Sequence, residues 1–182
     1  MKKSENLHKF GFIIICNNYN IKQIADTIKS IRIYYPDYPV IISCDSTFTK
    51  EQIKNIKILE IKNNVISKTS GEINLIDAGI SDAIPNWNIL LVSGSRLKTK
   101  IDKKYTLFTK SEKDILYPVI NRKFYFHESS WTGMMFSKMA YKDLGGFPAV
   151  SNDLSRSKVI FEGEGLEKGY RFVGIVGLPI VV

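Results

Sequence analysis

Hydroxyl and cationic side chains gather at one abrupt boundary in this chain. The apolar run Ile89-Leu90-Leu91-Val92 stops at Ser93-Gly94-Ser95, and Arg96 and Lys98 follow at once. Hydroxyls beside a glycine suit hydrogen bonding to a ligand, and the cations suit phosphate oxygens. Neutral serines hold a hard divalent ion poorly, so no Mg²⁺ or Mn²⁺ is expected from this loop and no cofactor is certain. Asp45-Ser46-Thr47 closes a second apolar run, Val40 to Cys44. Further along, Phe161-Glu162-Gly163-Glu164-Gly165 reads as a turn with two carboxylates.

The elements that would position these groups are legible as an alternation of strands and helices. Phe10 to Cys16 predicts a first strand. Asn20 caps the next helix with Gln23 in capping-box spacing, and Ile21, Ile24, Ala25, Ile28, Ile31 and Tyr35 repeat at helical intervals. Val40 to Cys44 is a second strand, and this β-α-β order implies a right-handed crossover and a parallel sheet. Thr49 and Gln52 predict a short second helix through Ile53 and Ile56, Lys57 to Ile61 a third strand, and Lys62 to Ser70 a polar connection. Ile73, Ile76, Ile80, Ala83 and Ile84 then mark a central helix, broken at Pro85-Asn86 ahead of the Ile89–Val92 strand. Later segments read as a strand at Tyr105–Thr109, a short helix at Glu112–Tyr117, a strand at Met134–Phe136, and a helix capped by Ser137 and ended at Gly145-Gly146. In open α/β sheets ligands bind at the carboxyl ends of the strands, where Ser93 and Asp45 fall.

Composition bounds the rest. The 182 residues suit one domain with a substantial core, and 44% hydrophobic with 24% charged residues is globular. No apolar run approaches the ~20 residues of a membrane span, and Glu5 argues against a signal peptide, so a cytoplasmic setting is the default. Cys16 and Cys44 fall in buried strands and read as reduced structural thiols. A net charge of +8 could attract nucleic acid, anionic membrane or a phosphorylated substrate. The lysines are scattered, however, and no helix-turn-helix or aromatic-basic platform accompanies them, so nucleic acid is not the expected partner. There is no G-x-G-x-x-G and no P-loop.

Taken in order, the segments FIIICNNYN, ISCDSTFT, Asp77-Ala78-Gly79, Ser93-Gly94-Ser95, GMMFSKMAYKDLGGF and FEGEGLEKGYRF resemble family 2 of the glycosyltransferases, nucleotide-sugar transferases of the GT-A fold. Asp77-Ala78-Gly79 stands where that family has Asn-x-Gly, and Ser93-Gly94-Ser95 where it has Asp-x-Asp. The resemblance implies a single GT-A-like, Rossmann-like α/β domain over 1–182, with a mostly parallel sheet between helices. Its nucleotide-binding half would be 1–97 and its acceptor-side half 98–182. It implies transfer of a sugar from a nucleotide-sugar donor to a hydroxyl acceptor, without the usual metal carboxylates. Asn18, Asp45, Asp77, Ser93, Ser95 and Arg96 would contact the donor, with Asp45 at the base or ribose. Glu164, ahead of Glu162, would be the general base, and His127 and Trp131 would line the glycan or other hydroxyl acceptor. Two plainer readings stay open: a catalytically degenerate domain that binds a nucleotide or glycan, and a basic nucleic-acid binder.

Overall fold

The computed structural model describes residues 10–59, 64–101, 111, 113–119, 131–148, 154–176 and 180–181. In chain order its elements are β1 (Gly11–Cys16), α1 (Ile21–Tyr34), β2 (Val40–Asp45), α2 (Lys50–Leu59), β3 (Asn64–Thr69), α3 (Glu72–Asp82), β4 (Trp87–Val92), β5 (Arg96–Leu97), β6 (Asp114–Val119), β7 (Met135–Ser137), α4 (Lys138–Asp143), α5 (Leu154–Glu167), β8 (Arg171–Val176) and β9 (Ile180–Val181). Seven strands form one sheet in the order β3-β2-β1-β4-β7-β6-β8. β1 pairs in parallel with β2 and β4, β2 with β3, and β6 with β8, while β7 runs antiparallel to β4 and β6. This is a mostly parallel α/β sheet flanked by helices, the GT-A-like arrangement.

Every residue of β1 is buried, as its unbroken GFIIIC run requires of a strand covered on both faces. Phe12, Ile14 and Cys16 enter the core shared with Ile24, Ile28 and Ile31 of α1 and Ile56 of α2. Ile13 and Ile15 enter the opposite core with Leu75, Ile76 and Ile80 of α3, Tyr141 of α4 and Phe161 of α5. Cys16 and Cys44 stand side by side in the parallel register, both as buried free thiols. The capping groups sit as their spacing predicts. Asn20 accepts from the Gln23 N–H at 3.1 Å, and Thr49 and Gln52 exchange bonds of 2.8 and 3.2 Å.

Four expectations need correction. Lys57 to Leu59 continues α2, and the third strand is Asn64–Thr69, inside the stretch read as a connection. The alternating Lys-Ile-Leu pattern misled because Ile58 and Leu59 lie exposed, at 66% and 37%. β3 stands at the sheet edge, where one buried side chain, Ile66, suffices and lysine is tolerated. Asp114–Val119 is a strand where a helix was expected, since Ile115, Leu116 and Tyr117 are buried in succession. Opposite it in register, Arg171 holds the buried Asp114 through two bonds of 2.7 and 3.0 Å.

The glycine-rich Phe161–Gly165 segment is helical, within α5. Gly165 is there because a Cβ would sit 2.7 Å from the Phe172 ring. α5 ends in a Schellman arrangement at Gly169, with Tyr170 N–H on Gly165 C=O and Gly169 N–H on Leu166 C=O. Finally, α3 stops at Asp82 and Ile84 is 89% exposed, so the apolar repeat overran the helix. The expected strand at Tyr105–Thr109 lies outside the described residues.

Gly79 sets how closely α3 lies on the sheet: a Cβ there would fall 2.5 Å from Ile13 Cγ2. In an open helix Gly→Ala stabilises, but here overpacking dominates. Gly79→Ala should therefore lower the unfolding free energy by about 1–3 kcal/mol in urea titration. Combined with Ile13→Ala it should cost less than the sum of the two changes. A stabilised Gly79→Ala chain would show that α3 is free to shift.

Candidate functional site

The parallel strands β1, β2 and β4 deliver their following loops to one edge of the sheet. Asn17 and Asn18 follow β1, and Asn18 is exposed. At the end of β2, Asp45 accepts Thr47 N–H at 2.9 Å, the Thr47 hydroxyl at 2.8 Å, the Ser70 hydroxyl at 3.2 Å and Gly71 N–H at 3.4 Å. The Thr47 N–H above all holds its carboxyl below the ordinary range. Asp45 thus ties the turn after β2 to the loop entering α3, and it stays ionised while doing so.

The loop after β4 turns at Gly94, whose φ of 102° is the left-handed region that glycine tolerates. Gly94 N–H donates to the Thr27 hydroxyl at 2.9 Å, and that hydroxyl donates to the Gln23 carbonyl at 3.0 Å. Ser93 is partly exposed and its N–H bonds Ile15 C=O at 3.0 Å. Ser95 is fully buried, and its hydroxyl has no hydrogen-bond partner. The two serines therefore do not share one face. Arg96 is exposed on β5 and pairs with Asp26 of α1. Next to it, Leu97 N–H reaches Ser30 Oγ at 3.1 Å, which fastens β5 to the same helix.

Asp77 lies elsewhere, on α3, where the Tyr141 hydroxyl donates to it and accepts Phe147 N–H at 3.1 Å. Burial pushes the Asp77 carboxyl up, against the pull of the Tyr141 bond. Burial and the neighbouring Asp77 charge push the Tyr141 hydroxyl far up in turn. This clasp joins α3 to the Gly145-Gly146 turn. Trp131 is buried; burial pushes the Glu72 carboxyl, in the first turn of α3, up, against the pull of Trp131 and Asn17 beside it. His127 lies outside the described residues.

The two late carboxylates separate. Glu164 is exposed on α5, whereas Glu162 is buried one turn after Lys158, 3.9 Å from its Nζ. Lys158 also lies over the Tyr117 ring, 5.9 Å from its centroid. Burial pushes the Glu162 carboxyl up to about 7, opposed by the Lys158 charge, and one of its oxygens lacks a hydrogen-bond partner. Burial pushes Lys158 down. Sequence reasoning passed over Asn17, Glu72, Asp26 and Lys158. Only the four-residue spacing of Lys158 and Glu162 was a readable signal. Among the described residues, no group of three or more His, Cys, Asp and Glu could hold a metal ion.

No family model matches the chain, and no curated protein matches it in sequence. Solved structures do share the fold. The mannosyltransferase PcManGT from Pyrobaculum calidifontis, in complex with GDP-Man and Mn²⁺, superposes with a TM-score of 0.70 at 15% identity, over 93% of this chain and 55% of that one. S. aureus TarS gives 0.67 at 15% identity, over 93% of this chain and 35% of its own. TarS 1–349 in complex with UDP gives 0.61 at 14% identity, over 92% and 61%. The chain thus spans between about a third and three-fifths of the length of these neighbours.

Glu162 makes stability depend on pH in a direction opposite to that of most carboxylates. Its folded-state value of about 7 exceeds the unfolded 4.5, so the folded chain keeps a proton the unfolded chain has lost. The corresponding stabilisation is complete below pH 4.5 and disappears as pH rises through 7. Denaturant titrations across that window should show a fall on the order of 3 kcal/mol in the native chain. Glu162→Gln should flatten the profile, and an unchanged slope would place the titration on another group.

Proposed function

We propose that the chain is a glycosyltransferase-like protein. In this reading it binds a nucleotide-sugar donor at the carboxyl edge of β1, β2 and β4 and transfers the sugar to a hydroxyl acceptor. The observation that carries this reading is the convergence of Asn18, the Asp45 loop and the Ser93–Arg96 segment on that edge of a GT-A-like sheet. Neighbours of the same fold hold UDP and GDP-Man in their structures, which supports a nucleotide ligand here. Asp45 is assigned to the base or ribose side, where its loop is already fixed. Ser93 faces the diphosphate, and Ser95 supports the loop from behind.

The donor set does not fit a divalent metal: Ser93 offers a neutral hydroxyl, and Ser95 is enclosed. Charge on the departing diphosphate falls instead to Arg96 and Lys98. Arg96 must exchange Asp26 for the phosphate to do so. During transfer the acceptor oxygen bonds the anomeric carbon, its proton passes to a base, and the nucleoside diphosphate leaves with the electron pair. Glu162 is the better base of the two late carboxylates, because a carboxyl near 7 can take up a proton at neutral pH. Asp77 supports the fold through Tyr141, and Trp131 shapes the acceptor side from within the wall. A second reading, binding without catalysis, is favoured by one observation: Glu162 is enclosed with Lys158.

Calorimetric titration with UDP and GDP, each with Mn²⁺ and with chelator, tests the assignment. Affinity should be unchanged by chelator, and Asp45→Ala should cost about 1–3 kcal/mol. Arg96→Ala should weaken a nucleoside diphosphate about tenfold and leave the bare nucleoside unaffected, a loss of ~1.4 kcal/mol. Binding abolished by chelator would mean that other residues supply a metal site. Equal loss for nucleoside and diphosphate would remove Arg96 from the phosphate.

Asp26→Asn provides the converse. Freed of its ion pair, Arg96 should bind diphosphate more tightly than in the native chain. A weaker interaction would mean that Asp26 holds Arg96 in its working position.

A further inference from the structure

We propose that the outer face of α1 and α2 is a docking surface for an anionic lipid bilayer. The inference stands independently of the donor reading, because this face covers one side of the sheet and not its carboxyl edge.

The crossovers from β1 to β2 and from β2 to β3 lay their helices over the same core. Ile24, Ile28 and Ile31 of α1 and Ile56 of α2 turn toward the sheet. The two helices lie side by side and both run back from the carboxyl edge, so they share one solvent face. On α1, Lys22, Lys29 and Ile33 recur at about whole turns, opposite the buried isoleucines, and all three are exposed. On α2, Lys50, Lys54, Lys57 and Ile58 follow the spacing of a single stripe and are exposed as well. None of these lysines has an ion-pair partner among the described residues. Two carboxylates share the face: Asp26, which Arg96 neutralises, and Glu51. The net charge of +8 is thus concentrated here into a basic surface.

The isoleucines decide which polyanion fits. Ile33 and Ile58 are 64% and 66% exposed, each one residue from the end of its helix. Because α1 and α2 run in the same direction, both stand at the same end of the face, with Leu59 beside Ile58. A nucleic-acid backbone gains nothing from aliphatic side chains, and neither stripe carries an aromatic ring on which a base could stack. A bilayer uses both kinds of group. Headgroup phosphates attract the ammonium groups, while isoleucine and the lysine stems enter the acyl boundary. A solvated face would account for the lysines but leaves large aliphatic side chains gathered in water.

Flotation with phosphatidylcholine vesicles, and with vesicles of equal parts phosphatidylcholine and phosphatidylglycerol, tests the surface. The chain should float with the anionic vesicles at low salt, stay behind with the neutral ones, and be released as salt rises. Lys50→Gln, Lys54→Gln and Lys57→Gln together should weaken partition by about tenfold or more. Removing equal charge elsewhere, by Lys68→Gln, Lys113→Gln and Lys142→Gln, should change it by less than about threefold. Ile33→Ser with Ile58→Ser should weaken it about tenfold and leave retention on double-stranded DNA unchanged. Every substituted position is exposed, so each variant should keep the native circular dichroism spectrum. No flotation with anionic vesicles at low salt would overturn the proposal. Equal losses for the two lysine sets would mean that net charge alone attracts the membrane, and undiminished flotation of the serine variant would mean that no side chain enters it; either result removes this face. Tighter binding to DNA than to anionic vesicles, lost with Lys50, Lys54 and Lys57, would assign the face to nucleic acid instead.

Discussion

Strand β1 has no solvent-facing side, and that condition propagates outward. Its neighbours β2 and β4 are parallel to it, with Ile14 opposite both Ile42 and Leu91. Even-numbered side chains feed one core and odd-numbered ones the other. A slip of one residue would exchange the two sets, so the register is specified from both faces at once. Since three adjacent strands share one direction, the loops that follow them must emerge together. The polar edge is a result of this packing, and its position needs no contribution from the polar residues themselves.

What those residues contribute is a division between bonded and open groups. Asp77 and Asp114 spend their carboxylates on the fold, joining a helix to a turn and one strand to another, while Asp45 joins a turn to a loop chiefly through Oδ1. Ser95 faces inward, and Thr27 occupies the backbone of Gly94. Ser93 and Asn18 stay open toward the edge, and Arg96 on β5 is held by Asp26 of α1. Hydroxyl, amide and guanidinium dominate this remainder. Such a surface recognises oxyanions and hydrogen-bond donors through geometry, with little of the concentrated negative charge that a divalent ion requires.

Much of the first half could be read from the chain because burial there is two-sided and caps are local. Phe12 to Cys16, Val40 to Cys44 and Ile89 to Val92 are continuous apolar runs, and Asn20 with Gln23 marks a helix start within four residues. Legibility declined where one face is solvated or where glycine serves packing. β3 is polar because it is an edge, and its neighbour Lys57–Leu59 alternates without being buried. The glycines of α5 resemble turn residues until Phe172, from a different element, is brought against Gly165. Within the site, the positions of Asp45 and Ser93 followed from strand ends alone. Glu72 and Asn17 could not be paired in advance, because their contact joins α3 to the end of β1 across more than fifty residues of chain.

The adjacent thiols of β1 and β2 have a practical meaning. Cys16 and Cys44 are both inaccessible, and the Cys16 thiol is pushed well up, first by its hydrogen bond with Cys44 and then by burial. A thiol becomes reactive only as the thiolate and only when reached, so neither can be modified while the centre of the sheet is closed. Both are fully enclosed although they stand at the carboxyl ends of their strands. Alkylation of either cysteine therefore counts openings of that end of the sheet, making the pair a built-in clock for exposure of the β1–β2 edge.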